Sequence, residues 1–312
     1  GGDLILAPGV TKDVTLVDCV IQGNIRNYGT GEVRFEAPQI TPESTATKPS
    51  EVYKPGATLD RTLEYGGKTV PIYRDRPLNV FSDVDFIWTG EENENQRRLE
   101  YLGGEFRTRY GIDVSSFQGE IDWDAVADDN IDFAMVRVGF RGTGTGSLNT
   151  DKYYEQNIRG AMRAGLETGV YFFAQAVTVE EAIEEADYVI SLLDGLDING
   201  PVAYDWEMHD STYRVYGTSP EMATACAVAF CQRIKDAGYT PMVYGGTYVT
   251  YMKYDQGALA DYLSWYPEYK SEKSEKLCPT LVYHMDYWQF SSSRAVAGIN
   301  GRVDMNIQFI RR

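Results

Sequence analysis

From Tyr110 onward, short apolar runs alternate with longer segments in which apolar residues recur at helical spacing. The apolar runs predict eight strands, at residues 111–114, 133–138, 169–174, 201–205, 241–244, 263–266, 287–290 and 303–305. Helices are predicted at residues 151–164, 178–193 and 219–237, the last with Ser219 as its cap and Pro220 at its first position. Strands that alternate with helices are typical of parallel β/α folds, and eight is the strand number of a closed barrel.

The later connections, such as residues 291–302, are short and contain Gly, so few helices are expected among the last strands. The predicted fold class is therefore α/β, an irregular TIM-like (β/α) barrel. A small β-rich N-terminal region precedes it, because residues 14–36 alternate apolar and polar positions and are rich in β-branched residues.

Between that region and the barrel, the pattern is weaker. Residues 37–55 lack periodicity and concentrate Pro, Ser and Thr, which is typical of a linker. Residues 59–88 contain strand-like pieces, and the charged residues 91–107 are compatible with a short helix. We expect three parts: a β-rich segment at 1–36, a linker and accessory β segment at 37–107, and a barrel at 108–312. Whether the first 107 residues form a spacer or wall-contacting module, or pack against the barrel, stays open.

The charge of the chain limits its partners. The 312 residues carry a net charge of −17, which argues against nucleic acid and anionic membranes because both would be repelled at long range. No run of about 18 apolar residues is present, so no membrane span is expected. No signal peptide is recognised, and a chain that opens on Gly1 without Met is expected to be processed or trimmed.

Cysteine and histidine are scarce. The four cysteines, Cys19, Cys226, Cys231 and Cys278, are too few and too scattered for a disulfide framework, so free thiols are expected. Two histidines, without a closely spaced Cys or His pair, offer little for a zinc site. We therefore expect no metal and no cofactor, and each histidine is interpreted as a lone polar residue.

The predicted fourth strand ends in two carboxylates, in the sequence PVAYDWE. On a strand, residues two apart share a face, so Asp205 and Glu207 point one way while Tyr204 and Trp206 point toward the helices. Two carboxylates side by side in a partly dry place cost several kcal/mol unless one holds a proton or both are paired. Such a pair can supply a general acid at neutral pH. The alternative is that the strand has reached solvent and both acids are hydrated.

Other predicted strands also end in acids. The first ends in Asp113 and the last carries Asp304. In β/α barrels the active site lies at the carboxyl ends of the strands. Four acids brought to one rim without a metal cluster favour acid/base chemistry on an uncharged substrate.

Six motifs occur in one order: YGIDVSSFQGEIDW, GVYFFA, YDWE, WYPEY, YWQF and GRVDMN, which begin at residues 110, 169, 204, 265, 287 and 301. In this order the chain resembles the glycoside hydrolase family 25 lysozymes over about residues 108–312. Two positions depart from the family pattern: Phe172 stands where His is frequent, and Pro267 where Ala is frequent. Strand alternation turns Phe172 away from the pocket, whereas Pro267 can alter the sugar-binding rim.

The resemblance implies a secreted or cell-wall-associated bacterial enzyme, expected as a monomer. It would cleave the β-1,4 bond between N-acetylmuramic acid and N-acetylglucosamine in peptidoglycan glycan strands. Glu207 would be the general acid, Asp205 its partner, and Asp113 and Asp304 supporting carboxylates. Two alternatives stay open: a catalytically silent peptidoglycan-binding module, and a glycosidase that acts on chitin-like chains.

The 2-acetamido group of that substrate can itself attack the anomeric carbon, with Asp205 orienting it while Glu207 protonates the leaving oxygen. This hypothesis of substrate assistance gives net retention without a protein nucleophile.

Aromatic residues near the strand ends offer faces on which sugar rings can stack. The candidate substrate-binding residues are Tyr171, Phe173, Tyr244, Trp265 and, as a hydrogen-bonding group, Gln289. For each the alternative is ordinary core packing. The glycine-rich RGTGTGS segment lacks the Lys and following helix of a phosphate loop, so a flexible rim loop is expected.

Overall fold

A computed structural model of the chain describes residues 46–90 and 97–312, together with Lys12 and the backbone of four short N-terminal strands. The chain divides into two compact units, Gly1–Ala46 and Thr47–Arg312. Cys19 and parts of the expected linker and charged segment, residues 37–45 and 91–96, lie outside the described residues.

The first unit contains the expected short strands. They are β1 (Leu4–Leu6), β2 (Val14–Val17), β3 (Ile25–Asn27) and β4 (Val33–Glu36). β1 pairs with β3 and β2 with β4, and both pairings are parallel. The prediction of a small β-rich N-terminal region is confirmed.

The second unit begins with an accessory segment, residues 47–105. Its elements are α1 (Pro49–Val52), β5 (Thr58–Tyr65), β6 (Lys68–Tyr73), β7 (Phe86–Thr89) and β8 (Arg98–Tyr101). β5 pairs with β6, and β7 with β8, as antiparallel hairpins. The suggestion of a short helix within 91–107 is wrong for β8, because Leu99 is fully buried and the strand pairs with β7.

A closed barrel follows, built from eight of the described strands. These are β9 (Phe106–Val114), β10 (Phe133–Arg141), β12 (Glu167–Ala174), β13 (Val202–Trp206), β14 (Pro241–Tyr244), β15 (Leu263–Pro267), β16 (Tyr287–Arg294) and β17 (Val303–Arg311), while β11 (Leu148–Thr150) pairs outside the ring with β10. The seven ring strands other than β17 run parallel to one another, whereas β11 is antiparallel to β10. β9 pairs with both β10 and β17 and so closes the ring. The predicted barrel is confirmed.

The last strand differs from the expectation for a regular β/α barrel. β17 is antiparallel to both β16 and β9, and it is nine residues long rather than the predicted three. β16 also continues to Arg294, so part of the expected loop at 291–302 is strand. Because β17 runs in the opposite direction, Asp304 near its beginning is opposite Asp113 near the end of β9. Both acids therefore reach the same rim.

Helices cover one side of the barrel. The predicted helices are present as α3 (Tyr154–Arg163), α4 (Val179–Leu192) and α5 (Pro220–Asp236), and two short ones, α2 (Trp123–Asp128) and α6 (Thr247–Met252), were not predicted. The hydroxyl of Ser219 accepts a hydrogen bond from the Met222 amide, which caps α5. Phe172 is buried on this helix side, as strand alternation requires.

The accessory segment covers the opposite side, where residues 268–312 contain no α-helix. Phe86 lies edge-on to Trp288, with ring centroids 5.4 Å apart, and Phe81 lies 4.3 Å from Phe309. The Asn79 side chain donates hydrogen bonds to two backbone carbonyls of the 279–281 connection. These residues occupy the position that helices occupy on the other side.

Candidate active site

All of the residues predicted for the site line one cavity of about 220 Å³ at the rim where the parallel strands end. They are Asp113, Tyr171, Phe173, Asp205, Glu207, Tyr244, Trp265, Gln289 and Asp304. The fold therefore brings all nine candidates together at one rim.

Asp205 is buried, so the interpretation of two hydrated acids does not describe this site. Burial, followed by the charge of Glu207 and a hydrogen bond with it, raises the pKa of Asp205 well above its ordinary value. Asp205 Oδ1 is buried and accepts no hydrogen bond from the residues that the structure describes. Trp206 points to the helix side as expected, where its Nε1 donates to the Ala176 carbonyl at 3.1 Å.

Glu207 lies nearer the opening of the cavity. Its side chain is 25% exposed, and its Oε2 lies 2.8 Å from Nε2 of His209. His209 is therefore not the lone polar residue that was expected. The sequence did not predict this contact. A strand would place residues 205, 207 and 209 on one side, but His209 lies beyond the end of β13, where strand alternation no longer applies.

Asp113 and Asp304 form a second carboxylate pair. Burial is the main cause that raises the pKa of Asp304 to about 8, helped by the charge of Asp113, and the protonated Asp304 donates a hydrogen bond to Asp113. Burial also raises the pKa of Asp113, to about 6, against three hydrogen bonds that favour its charged form. At neutral pH the pair therefore holds one proton, on Asp304.

Two side-chain amides hold Asp113 in place. Gln289 Nε2 and Asn306 Nδ2 each donate to its Oδ2 at 2.8 Å. The hydroxyls of Tyr244 and Tyr269 donate to Gln289 Oε1, at 3.2 Å and 3.1 Å. Because Gln289 Oε1 accepts hydrogen bonds from both phenol hydroxyls, the amide nitrogen of Gln289 must face Asp113.

The aromatic candidates form the inner wall of the cavity. Trp265 lies edge-on to Tyr171 and Tyr244, with centroid distances of 5.8 Å and 4.9 Å, and its Nε1 donates to Asn306 Oδ1 at 2.8 Å. Trp265 and Tyr244 are almost fully buried and pack in the barrel interior. Tyr244 and Trp265 therefore belong to the core and also line the cavity, so core packing and a place in the site are not exclusive for these rings.

Sequence reasoning missed several residues of the rim. Phe117 is 85% exposed beside the cavity, and its ring centroid lies 5.2 Å from the guanidinium carbon of Arg137. Arg137 also pairs with the buried Asp151. The available signal was the motif that contains Phe117, which follows the first strand directly. Arg137 gave no signal, because within a buried strand a single Arg does not reveal which partner it meets.

A second cavity of about 390 Å³ adjoins the first. Glu207, Tyr244 and Tyr269 line both, and Tyr248 and Pro267 line only the second. The departure from the family pattern at Pro267 thus lies on this rim, as expected. Glu207 stands where the two cavities meet.

The barrel, the carboxylates at its rim and the order of the motifs define a glycosidase-type site. The sequence profile described as Glycosyl hydrolases family 25 matches residues 112–299, more than half of the chain. The chain belongs to this family, and the predicted resemblance is confirmed.

Curated relatives agree with this assignment. The autolytic lysozyme of Clostridium acetobutylicum is 26% identical over 197 residues, which are 63% of this chain and 54% of that protein. Lysozyme M1 of Streptomyces globisporus is 27% identical over 201 residues, 63% of this chain and 66% of the relative. The chain thus spans about half the length of the Clostridium relative.

Solved structures share the fold. The bacterial lysozyme from Streptomyces coelicolor has a TM-score of 0.51 and 25% identity, over 64% of this chain and 90% of that one. The Clostridium perfringens spore cortex lytic enzyme SleM has a TM-score of 0.55 and 23% identity, over 64% and 67%, and supports the fold alone.

Two further expectations concern the thiols and the absence of a membrane span. Cys226, Cys231 and Cys278 are free thiols, as predicted, and all three are buried. Among the described residues, no helix is both long and apolar enough to cross a membrane.

Proposed function

We propose that the chain is a peptidoglycan hydrolase that cleaves the β-1,4 bond between N-acetylmuramic acid and N-acetylglucosamine. One observation carries this proposal: the four carboxylates and the five predicted sugar-contacting residues line a single cavity at the barrel rim. Its acidic walls suit an uncharged sugar backbone, and its partner would be a glycan strand outside the cell. Secretion or attachment to the cell wall, and a monomeric state, belong to the same proposal.

The two adjoining cavities support a position for the scissile bond. Glu207 lines both of them, so a glycan strand that fills both would pass its linking oxygen over this carboxyl. The reacting sugar would lie in the acidic cavity, above Asp205. The leaving sugar would lie against Tyr248 and Pro267 in the second cavity.

The proton for the leaving oxygen is held by the Asp205–Glu207 pair. Without substrate it resides mainly on Asp205, whose pKa is raised well above its ordinary value. An acetamido N–H that donates to the unpartnered Oδ1 of Asp205 would stabilise the charged form of this residue. The shared proton would then move along the hydrogen bond to Glu207, which faces the leaving oxygen and acts as general acid.

Charged Asp205 would next orient the acetamido group for attack on the anomeric carbon and stabilise the positive charge that develops there. The C–O bond to the leaving sugar breaks as Glu207 delivers its proton, and an oxazolinium-like intermediate forms. Glu207, now ionised, removes a proton from the water that opens this intermediate. The product retains the β configuration.

Asp113 and Asp304 support this chemistry from the other side of the cavity. Asp113 is negative at neutral pH, and it is fixed by Gln289 and Asn306. Its charge raises the pKa of Asp205, which helps to keep the proton in the pair. Asp304 stays protonated and limits the negative charge of the cluster to what the cavity tolerates.

Cell walls provide the first test. The protein should clear purified peptidoglycan, and mass spectrometry should place muramic acid at the new reducing ends. Glu207→Gln should abolish lysis and leave the thermal midpoint unchanged or slightly higher, because it removes the proton donor together with a source of repulsion. Activity of this variant within about tenfold of the parent would reject Glu207 as the acid. Products with N-acetylglucosamine at the reducing end would reject the proposed bond.

NMR of the first-formed anomer tests the mechanism. A β product agrees with substrate assistance. An initial α product would show direct attack by water that Asp205 or Asp113 activates.

A further inference from the structure

The backbone at Glu207 lies just beyond the support of the sheet. The parallel pairing of β12 with β13 ends at Ala174 and Trp206, and β13 itself ends at Trp206. The next carbonyl, that of Glu207, instead accepts a hydrogen bond from the side chain of Gln175, with Nε2 2.8 Å from the oxygen. A side chain thus continues the connection between the two strands for one more residue.

Gln175 is itself held firmly. Its residue is fully buried, and its backbone N–H donates to Glu185 Oε1 at 3.0 Å. Its carbonyl accepts a hydrogen bond from Arg214 Nη1, also at 3.0 Å. Glu185 is a buried carboxylate paired with Arg141 at 2.8 Å, and Arg214 binds both carboxylate oxygens of Glu181. Gln175 therefore has a fixed main chain from which its side chain reaches Glu207.

The amide of Gln175 is poorly placed for stability alone. Its Oε1 is buried and accepts no hydrogen bond from the described residues. A buried acceptor without a partner is costly, and an apolar side chain of similar shape would avoid that cost. The contact that the amide does make is with the residue proposed as general acid.

We infer that Gln175 is a positioning residue for the Glu207 carboxyl, a role that rests on the proposed function. By holding the Glu207 carbonyl, its amide fixes the direction in which the Glu207 side chain leaves the backbone beyond the last sheet pairing. Without it, the Asp205–Glu207 pair would keep its proton, but the Glu207 carboxyl would lose its alignment with the leaving oxygen. The chemical step should therefore slow, while glycan binding, which depends on the walls of the cavity, should change little.

Gln175→Met tests this inference, because Met has a similar length and no amide. On soluble glycan fragments, kcat should fall by about tenfold to a hundredfold, as expected for a misplaced catalytic group, while KM stays within about twofold. Thr224→Val is the matched control. Thr224 is equally buried and its hydroxyl donates to the Pro220 carbonyl, but it does not line the cavity. It should lower the thermal midpoint and leave kcat unchanged.

Gln175→Glu provides a readout that a structural role would not move. When protonated, the introduced carboxyl can donate to the Glu207 carbonyl, and when ionised it cannot. Burial beside Glu185 should raise the pKa of the introduced carboxyl above that of an ordinary Glu. The ratio of the Gln175→Glu kcat to the parent kcat at the same pH should therefore rise toward one as the pH is lowered from about 7 to about 4. The corresponding ratio for Gln175→Met should not change with pH.

The outcomes separate this inference from the proposed function. If the parent protein lyses walls and Glu207→Gln does not, the function stands. In that case, a folded Gln175→Met protein with kcat within about twofold of the parent, or a flat ratio for Gln175→Glu, overturns the positioning role. If Gln175→Met does not fold, the pH series of Gln175→Glu decides alone. An inactive parent would instead reject the function.

Discussion

The two sides of the barrel are covered by different structures. Outside β10 to β14 lie the helices α3, α4 and α5, as in a regular β/α barrel. Outside β16 and β17 lie the hairpins and aromatic residues of the accessory segment. Trp288 on the second side is as completely buried as Tyr204 on the first. A barrel strand thus requires an apolar cover, and that cover does not need to be a helix.

The site uses both sides. The helix side contributes Asp205 and Glu207 through β13, whereas the accessory side contributes Gln289 and Asp304 through β16 and β17. The cover on either side therefore supports strands that carry part of the site. Changes that break one cover should reach the site through the strand beneath it.

Deletion of the accessory segment should have the largest effect. A protein that begins at Phe106, the first residue of β9, would expose Trp288 and Phe309, which now pack against Phe86 and Phe81. Loss of several buried aromatic contacts, at about 3–5 kcal/mol each, exceeds the stability of an ordinary domain. We expect no cooperative thermal transition. A protein that begins at Thr47 is the control and should unfold as the full chain does. A soluble, cooperative and active barrel that begins at Phe106 would show that the accessory segment is a separate module.

Single substitutions compare the covers directly. Phe86→Ala on the accessory side and Phe230→Ala on α5 each remove a buried ring. Both should lower the free energy of unfolding by about 3–5 kcal/mol in urea titrations. A loss below about 1 kcal/mol for Phe86→Ala alone would mark the accessory cover as loosely attached.

The sequence predicted the helix side well and the accessory side poorly, for a physical reason. Helices α3 to α5 are amphipathic, and α4 and α5 also have side-chain N-caps, so the pattern that predicts them is local. The accessory residues Phe81 and Phe86 contact strands more than 200 positions away along the chain, and a local pattern does not identify a distant partner. The length and direction of β17 were missed for the same reason, because its pairing with β9 joins the two ends of the barrel.

Stability should depend on pH through the buried carboxyls. Burial raises the pKa of Asp304 to about 8, against about 3.9 in an unfolded chain. Between these values the folded protein binds more protons than the unfolded chain, so its free energy of unfolding falls as the pH rises from about 4 to about 8. Asp304→Asn keeps a donor toward Asp113 without titrating. It should reduce this fall by on the order of 5 kcal/mol in urea titrations, the value of a pKa difference of about four units.

Glu185→Gln provides the contrast on the helix side. Burial raises the pKa of Glu185 to about 7, but this carboxyl also pairs with buried Arg141. The amide would leave Arg141 without its buried partner and lower stability at every pH.

Equal pH profiles for the parent and Asp304→Asn would show that Asp304 does not hold the proton.

The smallest effects should come from the two phenols that orient Gln289. Tyr244 ends β14 on the helix side, and Tyr269 follows β15 on the other. Tyr244→Phe and Tyr269→Phe should each lower kcat/KM by about threefold to tenfold, the size of one hydrogen bond. The double variant should lose more than the product of the two, because the Gln289 amide can then turn away from Asp113. Strict additivity would show that each phenol acts independently.

The site itself was largely predictable because strand alternation and rim position are local properties. Asp113, Asp205 and Gln289 each lie at the end of a recognisable apolar run. Asn306 and Tyr269 act through partners on other strands, Asp113 and Gln289, so their contacts depend on barrel closure. Arg137 meets Asp151 and Phe117 in the connections that follow other strands. The proton positions also depend on burial, which the sequence does not report residue by residue.

Barrel closure also affects how the protein is made. The hydrogen bond between Asn306 and Asp113 spans 193 positions of the chain, and the pairing of β17 with β9 brings Asp304 to the same rim. A ribosome therefore releases Asp205 and Glu207 long before the strand that completes their surroundings. Pairings of such long range form slowly. A nascent chain should thus lack the complete carboxylate cluster until β17 has been synthesised and has closed the ring.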